Sequence, residues 1–298
     1  MKREVLLSIC IPTNGILEWV VPVIESIYKQ NVDEKKFEVI ITDNGTNNEF
    51  FDKMKMYEYN HKNLRYKRTN AVQFLNQIEA FNMARGEFIK FLNHRMILLP
   101  GALEYFLEFV QSNMNEKPVT YFTNGVINQE SKSLKSFDEY VHILSYWSSW
   151  SAGTAMWKEH FDALNINNYN NLFPHTDLIF AIKDSSSYVI DNKRLMEELP
   201  TDNYKKGNYN LFYAFAVEYP AIIFDLYRNE NITIDTFNSV IEDNKKFVGQ
   251  LYYAYIIRKK SCSYSLECYE KYIKIFYSKK HMYREAVKII IKRILKLK

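Results

Sequence analysis

Ser8-Ile9-Cys10-Ile11-Pro12-Thr13-Asn14 is an apolar run closed by a proline and two small polar residues, and its reading decides the fold. Residues 5–11 form an apolar run suited to a buried parallel strand, and Pro12-Thr13-Asn14-Gly15 ends it. Helical spacing follows at 17–30. A second strand is predicted at 37–42, closed by Asp43-Asn44-Gly45, then a short strand at 64–67 and a helix at 72–84. A fourth strand is predicted at 87–92, after which Pro100 and Gly101 open a helix at 102–111. This alternation is that of βαβ units and predicts a parallel sheet with helices on both faces.

The second half is expected to add strands at 119–123, 155–158 and 188–191, with helices at 137–147 and 174–183. Beyond about Asn192 the pattern turns helical. The apolar stretch 211–227 is interrupted by Glu218 and Pro220 and falls short of the ~20 residues a spanning helix requires, so it is predicted as buried helices broken near the proline.

A chain of 298 residues with 47% hydrophobic content can bury a sizeable core, which excludes disorder as its general state. The cysteines, Cys10, Cys262 and Cys268, are odd in number and lack metal-ligand spacing, which fits a reducing compartment. Met1-Lys2-Arg3-Glu4 runs into a strand without the segments of a secretory signal, so a cytoplasmic location is expected. The six histidines offer no i, i+4 pair, and no zinc site is predicted.

In open α/β sheets ligands bind outside the carboxyl ends of the strands. This chain places Pro12-Thr13-Asn14 after its first strand, Asp43-Asn44-Gly45 after its second and Asn93-His94-Arg95 after its fourth, so these groups should converge on one crevice. The plain alternative for Asp43-Asn44-Gly45 is a strand-ending turn using Asx and Gly chemistry, and the companion motifs favour the functional reading. If strand alternation persists, His94 points away from a ligand there.

Ser8 to Asn14, Val39-Ile40-Ile41-Thr42-Asp43-Asn44-Gly45-Thr46 and Ala84-Arg85-Gly86-Glu87-Phe88-Ile89-Lys90-Phe91-Leu92 resemble, in order and separation, the strand motifs of the family 2 glycosyltransferases. The resemblance implies a GT-A-like α/β fold, with a mostly parallel sheet, helices on both faces and a helical C-terminal extension. The transferase domain would be residues 1–192, and 193–298 a helical region ending in a basic amphipathic helix. It implies an inverting transfer from a nucleotide-diphospho-sugar to a hydroxyl of a bacterial surface glycan or its lipid-linked precursor. By resemblance Pro12, Thr13 and Asn14 would line the nucleotide, with Asp43 and Asn44 accepting it at the second strand.

The family's Asp-x-Asp metal motif is replaced here by Asn93-His94-Arg95. The departing diphosphate is normally neutralised by a metal acting as a Lewis acid. Arg95 is a fork donor suited to phosphate oxygens and could supply a fixed positive charge instead, while Asn93 could bond a ribose hydroxyl. Arg95 could also simply cap the strand and pair with a surface carboxylate, which would leave an inactive sugar-nucleotide-binding or scaffold protein. No cofactor is predicted, and a divalent metal such as Mn or Mg is left open. A nucleotidyltransferase would require a Gly-rich phosphate loop, and Pro12-Thr13-Asn14-Gly15 is too short and too poor in glycine.

An inverting transfer needs a base for the acceptor hydroxyl. In Phe173-Pro174-His175-Thr176-Asp177, Asp177 resembles the second acid of the family's Glu-Asp motif and is the predicted base, with His175 in the glutamate's place as reserve. A first-turn aspartate favoured by the helix dipole is the plain alternative. Trp150, Ser151 and Gly153 resemble the segment lining the sugar and acceptor, and Trp147 and Trp150 are readable either as an acceptor platform or as core.

From Ile241 to Lys298 there are 15 Lys and Arg against 5 Asp and Glu, net +10, on a body of net −6. In 284–298, Val287, Ile290, Ile291, Ile294, Leu295 and Leu297 share one helical arc and Lys288, Lys292, Arg293 and Lys296 the other. Such a helix suits an anionic membrane surface and predicts a peripheral protein at the inner face, unless the helix merely packs on its domain. Nucleic acid is not expected as a partner, because the body is acidic and no binding signature occurs.

Overall fold

The structure is a computed structural model and describes residues 5–200 and 207–296; Met1 to Glu4, and Leu297 and Lys298 of the tail, lie outside the described residues. The chain divides into two compact units, Met1–Tyr140 with Ser148–Leu199, and Val141–Trp147 with Pro200–Lys298.

The elements run β1 (Leu7–Thr13), α1 (Leu17–Tyr28), β2 (Phe37–Asp43), α2 (Asn48–Asn60), β3 (Leu64–Arg68), α3 (Asn76–Met83), β4 (Phe88–Phe91), β5 (Met96–Leu98) and α4 (Ala102–Asn113). There follow β6 (Val119–Phe122), β7 (Lys132–Leu134), α5 (Phe137–Leu144), β8 (Ala155–Trp157), α6 (Lys158–Ala163), α7 (Pro174–Phe180), β9 (Tyr188–Asp191) and β10 (Met196–Glu198). The main sheet has the order β3-β2-β1-β4-β8. Its first four strands are parallel and β8 is antiparallel to β4. Because the connections from β1 lead first to one side and later to the other, the switch point of the sheet falls between β1 and β4.

The central strands are apolar on both sides because both faces are covered. Ile9, Ile11, Val39 and Ile41 pack with Val20, Val23, Ile24 and Ile27 of α1 and with Phe50 and Met54 of α2. Cys10, Ile40, Ile89 and Phe91 face Ala80 and Phe81 of α3 and Leu178 of α7. The spacing of the α1 residues is the i, i+3, i+4, i+7 stripe of a helix with one buried face.

Several local stops differ from the expected bounds. The helix predicted at 72–84 becomes regular only at Asn76, since Gln73 takes a left-handed φ of 45° within a short 3₁₀ turn. The helix predicted at 137–147 ends at Leu144, where Ser145 has φ 48°. In the second unit α8 (Leu211–Tyr213) and α9 (Tyr219–Arg228) are joined by a wide i→i+5 helical segment at Ala214–Glu218, just before Pro220, so the stretch widens where a break is predicted but stays helical. They are followed by α10 (Ile234–Leu251), a second wide turn at Tyr252–Ile257, α11 (Tyr269–Phe276) and α12 (Lys279–Lys296). Their core joins Phe212, Val248, Tyr252, Ile273 and Met282. Among the described residues no helix is long and apolar enough to cross a membrane.

Candidate active site

The loops after β1, β2 and β4 meet at Thr13. Its hydroxyl accepts the N–H of Gly15 at 3.2 Å and lies 2.9 Å from Nδ1 of His94. Its carbonyl accepts the N–H of Asn44 at 3.1 Å and Nδ2 of Asn76 at 3.0 Å. Asn76 also donates to the Thr42 carbonyl at 2.8 Å and accepts the Thr69 hydroxyl at 2.8 Å. Two strand ends and the start of α3 are thereby held together by one amide. The β1 and β2 loops also press on each other, since a Cβ on Gly45 would stand 2.2 Å from the Asn14 carbonyl oxygen. Only glycine permits that approach.

Asp43 is fully buried. One carboxylate oxygen accepts the Gly45 N–H at 2.7 Å, and the other accepts the Tyr66 hydroxyl at 3.0 Å and lies 3.9 Å from Nε of Arg68. Burial and the Asp43 carboxylate push the Tyr66 phenol up to about 12, so it stays a donor. Each oxygen has a second lone pair for a ligand, but Asp43 already shapes its own turn. The Asn44 amide donates to the carbonyls of Ala71 and Gln73 at 2.9 and 3.1 Å, while Pro12 is half-buried and Asn14 exposed at the rim.

Strand alternation lapses after Phe91. Asn93 Oδ1 accepts the Arg95 N–H at 3.2 Å and the Asn93 carbonyl accepts the Met96 N–H at 2.8 Å, which makes 93–95 a turn rather than a strand end. That turn points His94 at Thr13 instead of away from the crevice. Burial, with the Arg95 cation beside it, lowers its imidazole to about 3, so the ring is neutral and its Nδ1 can accept the Thr13 proton. Arg95 lies over the Trp19 ring at 5.6 Å, with Nε 3.3 Å from the Glu198 carboxylate on β10. Asn93 thus offers an amide oxygen already accepting one N–H and Arg95 a guanidinium with no lone pair, a donor set that does not fit a divalent cation. Among the described residues no three His, Cys, Asp or Glu side chains converge as a metal site.

A second group forms around 148–154 and α7. His175 is buried, with Nε2 2.9 Å from the Ser149 carbonyl. Because a carbonyl only accepts, Nε2 carries the proton, and the buried Nδ1 is left without a hydrogen-bond partner. Burial lowers this imidazole to about 4. The Thr176 hydroxyl donates to the Ser148 carbonyl at 3.0 Å. Asp177, half-buried in the otherwise buried first turn of α7, accepts the Asn170 N–H from the loop before its own helix. Gly153 lies on the Tyr121 ring, where a Cβ would come within 2.2 Å, and the Tyr121 hydroxyl donates to the Trp150 carbonyl. Trp150 packs partly against the main core and Ser151 is half-buried.

Lys90 ties this group to β4. It occupies an apolar position of the strand, 1% exposed, and its ammonium donates to the carbonyls of Phe91 at 2.6 Å, Ala152 at 2.5 Å and Thr154 at 3.4 Å. The Phe106 and Phe122 rings lie 5.8 and 5.5 Å from Nζ. Burial lowers the lysine to about 7.

Sequence reading missed Lys90, Asn76, Tyr66 and the role of His94. A lysine inside an otherwise apolar strand was the available signal for the first. The other three act through tertiary contacts that no local pattern encodes.

The sequence profile of Glycosyl transferase family 2 matches residues 8–186. No curated protein matches the chain. Among solved structures, S. aureus TarS 1-349 is similar at 11% identity and TM-score 0.54, over 85% of this chain and 72% of that one. The same protein in complex with UDP-GlcNAc gives 12% and 0.55, over 85% and 73%. The mannosyltransferase PcManGT from Pyrobaculum calidifontis, in complex with GDP-Man and Mn2+, gives 12% and 0.54, over 97% and 87%. At such identities these structures speak for the fold alone. The profile spans more than half of the chain and the sheet is mostly parallel, as its motifs implied: the chain belongs to Glycosyl transferase family 2, as a GT-A-fold enzyme of that family.

Proposed function

We propose that the enzyme transfers a sugar from a nucleotide-diphospho-sugar, with inversion, to a hydroxyl of a bacterial surface glycan or its lipid-linked precursor, and does so without a metal. The observation that carries the reading is the convergence of three loops on Thr13 at the switch point of a family 2 domain. The UDP-GlcNAc and GDP-Man complexes of the similar structures support this donor class.

In this reading Pro12, Thr13, Asn14, Asp43 and Asn44 receive the nucleoside, and Asn93 a ribose hydroxyl. The acceptor oxygen attacks the anomeric carbon from the face opposite the diphosphate and gives its proton to the Asp177 carboxylate. The sugar–phosphate C–O bond breaks and its electron pair leaves with the diphosphate. Arg95 has its Nε held by Glu198, which orients the fork and leaves the four Nη protons for phosphate oxygens. Trp150, Ser151, Gly153 and His175 line the sugar and acceptor. Residues 1–192 are the transferase domain, and 193–298 carry α12 to an anionic membrane surface at the inner face, where a lipid-linked acceptor resides.

A second reading, a sugar-nucleotide-binding or scaffold protein without turnover, is favoured by the Arg95–Glu198 pair and by the internal engagement of Asp43. A thermal-shift screen of nucleoside diphosphates and their sugars, followed by measurement of nucleoside diphosphate release in the presence of acceptors, separates the two. Donor binding with no release under any acceptor selects the second.

A further inference from the structure

The second unit carries a groove of about 440 Å³ where α12 packs beside the end of α10. Its floor is Tyr253 in the wide turn that follows α10, and its walls include Ile289, Lys260, Lys292 and Arg293. The Arg293 guanidinium lies over the Tyr253 ring at 5.2 Å, with Nη1 3.5 Å from its hydroxyl. Lys260 is brought back to the groove as the chain leaves the turn, its N–H donating to the Ala254 carbonyl at 3.1 Å. Among the described residues three cations line this cleft and no lining residue is acidic.

Beside the groove, α12 buries Met282, Glu285 and Ala286 and leaves an apolar stripe in solvent: Val287 51%, Ile291 49%, Ile294 54% and Leu295 66% exposed. The one acid of the helix, Glu285, is buried and paired with Lys288 at 2.6 Å. A second copy of this chain would set two strongly basic faces against each other. An anionic surface with an apolar interior complements both the stripe and its flanking charge.

We propose that the groove is a headgroup site for an anionic phospholipid, with the phosphodiester held by Lys260, Lys292 and Arg293 while the stripe of α12 enters the acyl region. The inference rests on the peripheral-membrane reading of the tail and adds one specific lipid contact to it. Lys260 does not belong to α12, so its contribution is separable from general attachment.

The test is co-sedimentation of the full chain with vesicles containing phosphatidylglycerol, against vesicles of matched surface potential containing cholesteryl hemisuccinate, which is anionic but lacks phosphate. The chain is expected to prefer phosphatidylglycerol by about fivefold, the worth of one basic contact. Lys260→Ser should erase that preference yet keep attachment, whereas Val287→Asp with Ile291→Asp should release the protein from both. Equal binding of the unaltered protein to both vesicles, or an equal loss on both from Lys260→Ser, overturns the proposal. If no vesicle is bound, the membrane reading fails by itself, and calorimetry with soluble dihexanoyl-phosphatidylglycerol decides the groove. Binding weakened by Lys260→Ser retains the site, and no binding, or binding indifferent to that change, removes it.

Discussion

Lys90→Met removes the buried charge beneath the 151–154 turn, and its consequence can be worked from the environment of Nζ. Burial lowers this lysine from 10.5 to about 7, and no charged group contributes to the shift. Below pH 7 the folded and unfolded chains both hold the proton, so Lys90 adds no slope to stability. Between about 7 and 10.5 the unfolded chain binds a proton that the folded chain lacks, and stability therefore rises with pH. One pKa unit is about 1.4 kcal/mol, so the full window is worth about 5 kcal/mol, and the part between pH 6.5 and 9.5 about 3 kcal/mol. Methionine follows the lysine stem between Phe106 and Phe122 without a charge, and so lacks this slope. Urea unfolding of both proteins at pH 6.5, 8 and 9.5 isolates the effect, since every other titrating group is common to the pair. The difference in unfolding free energy should move by about 3 kcal/mol in favour of the lysine protein as pH rises. Parallel curves would refute the assignment of a buried, titrating ammonium holding Ala152 and Thr154.

If Arg95 stands where a cation would, turnover should survive EDTA and fall by about 10²-fold or more in Arg95→Ala, the scale of losing one preorganised charge donor; strict dependence on added manganese would remove the proposal. Asp177→Asn can still accept the Asn170 N–H through its amide oxygen, so the fold and donor affinity should hold while transfer drops by about 10²–10⁴-fold. An unaffected rate would move the base elsewhere, with His175 next in line. Gly45→Ala drives a methyl onto the Asn14 carbonyl and should cost about 1–3 kcal/mol in unfolding free energy, together with nucleotide affinity; calorimetric binding equal to that of the unaltered protein would show the two loops to be independent.

The parallel strands were legible because long apolar runs ending in Pro12-Thr13 or Asp43-Asn44-Gly45 have few other uses. Helix α2 was not, since only Phe50 and Met54 of its residues are buried and its apolar period is weak. Strands β5, β7 and β10 have three residues each, too few to show a period. At the site, sequence located the three loops but misjudged the middle of Asn93-His94-Arg95. The Asx bond from Asn93 to Arg95 abolishes the alternation on which the orientation of His94 was argued. Asn76, nearly forgettable as one polar residue at a helix start, closes the rim only because β1 and β2 lie side by side.

The hydrogen bonds centred on Thr13 and Asn76 link the ends of three segments through groups that no ligand has to supply. If the nucleotide sits there as proposed, its cradle is therefore preorganised. Little of the free energy of association is diverted to ordering the polypeptide, and donor capture should proceed without a slow closing phase.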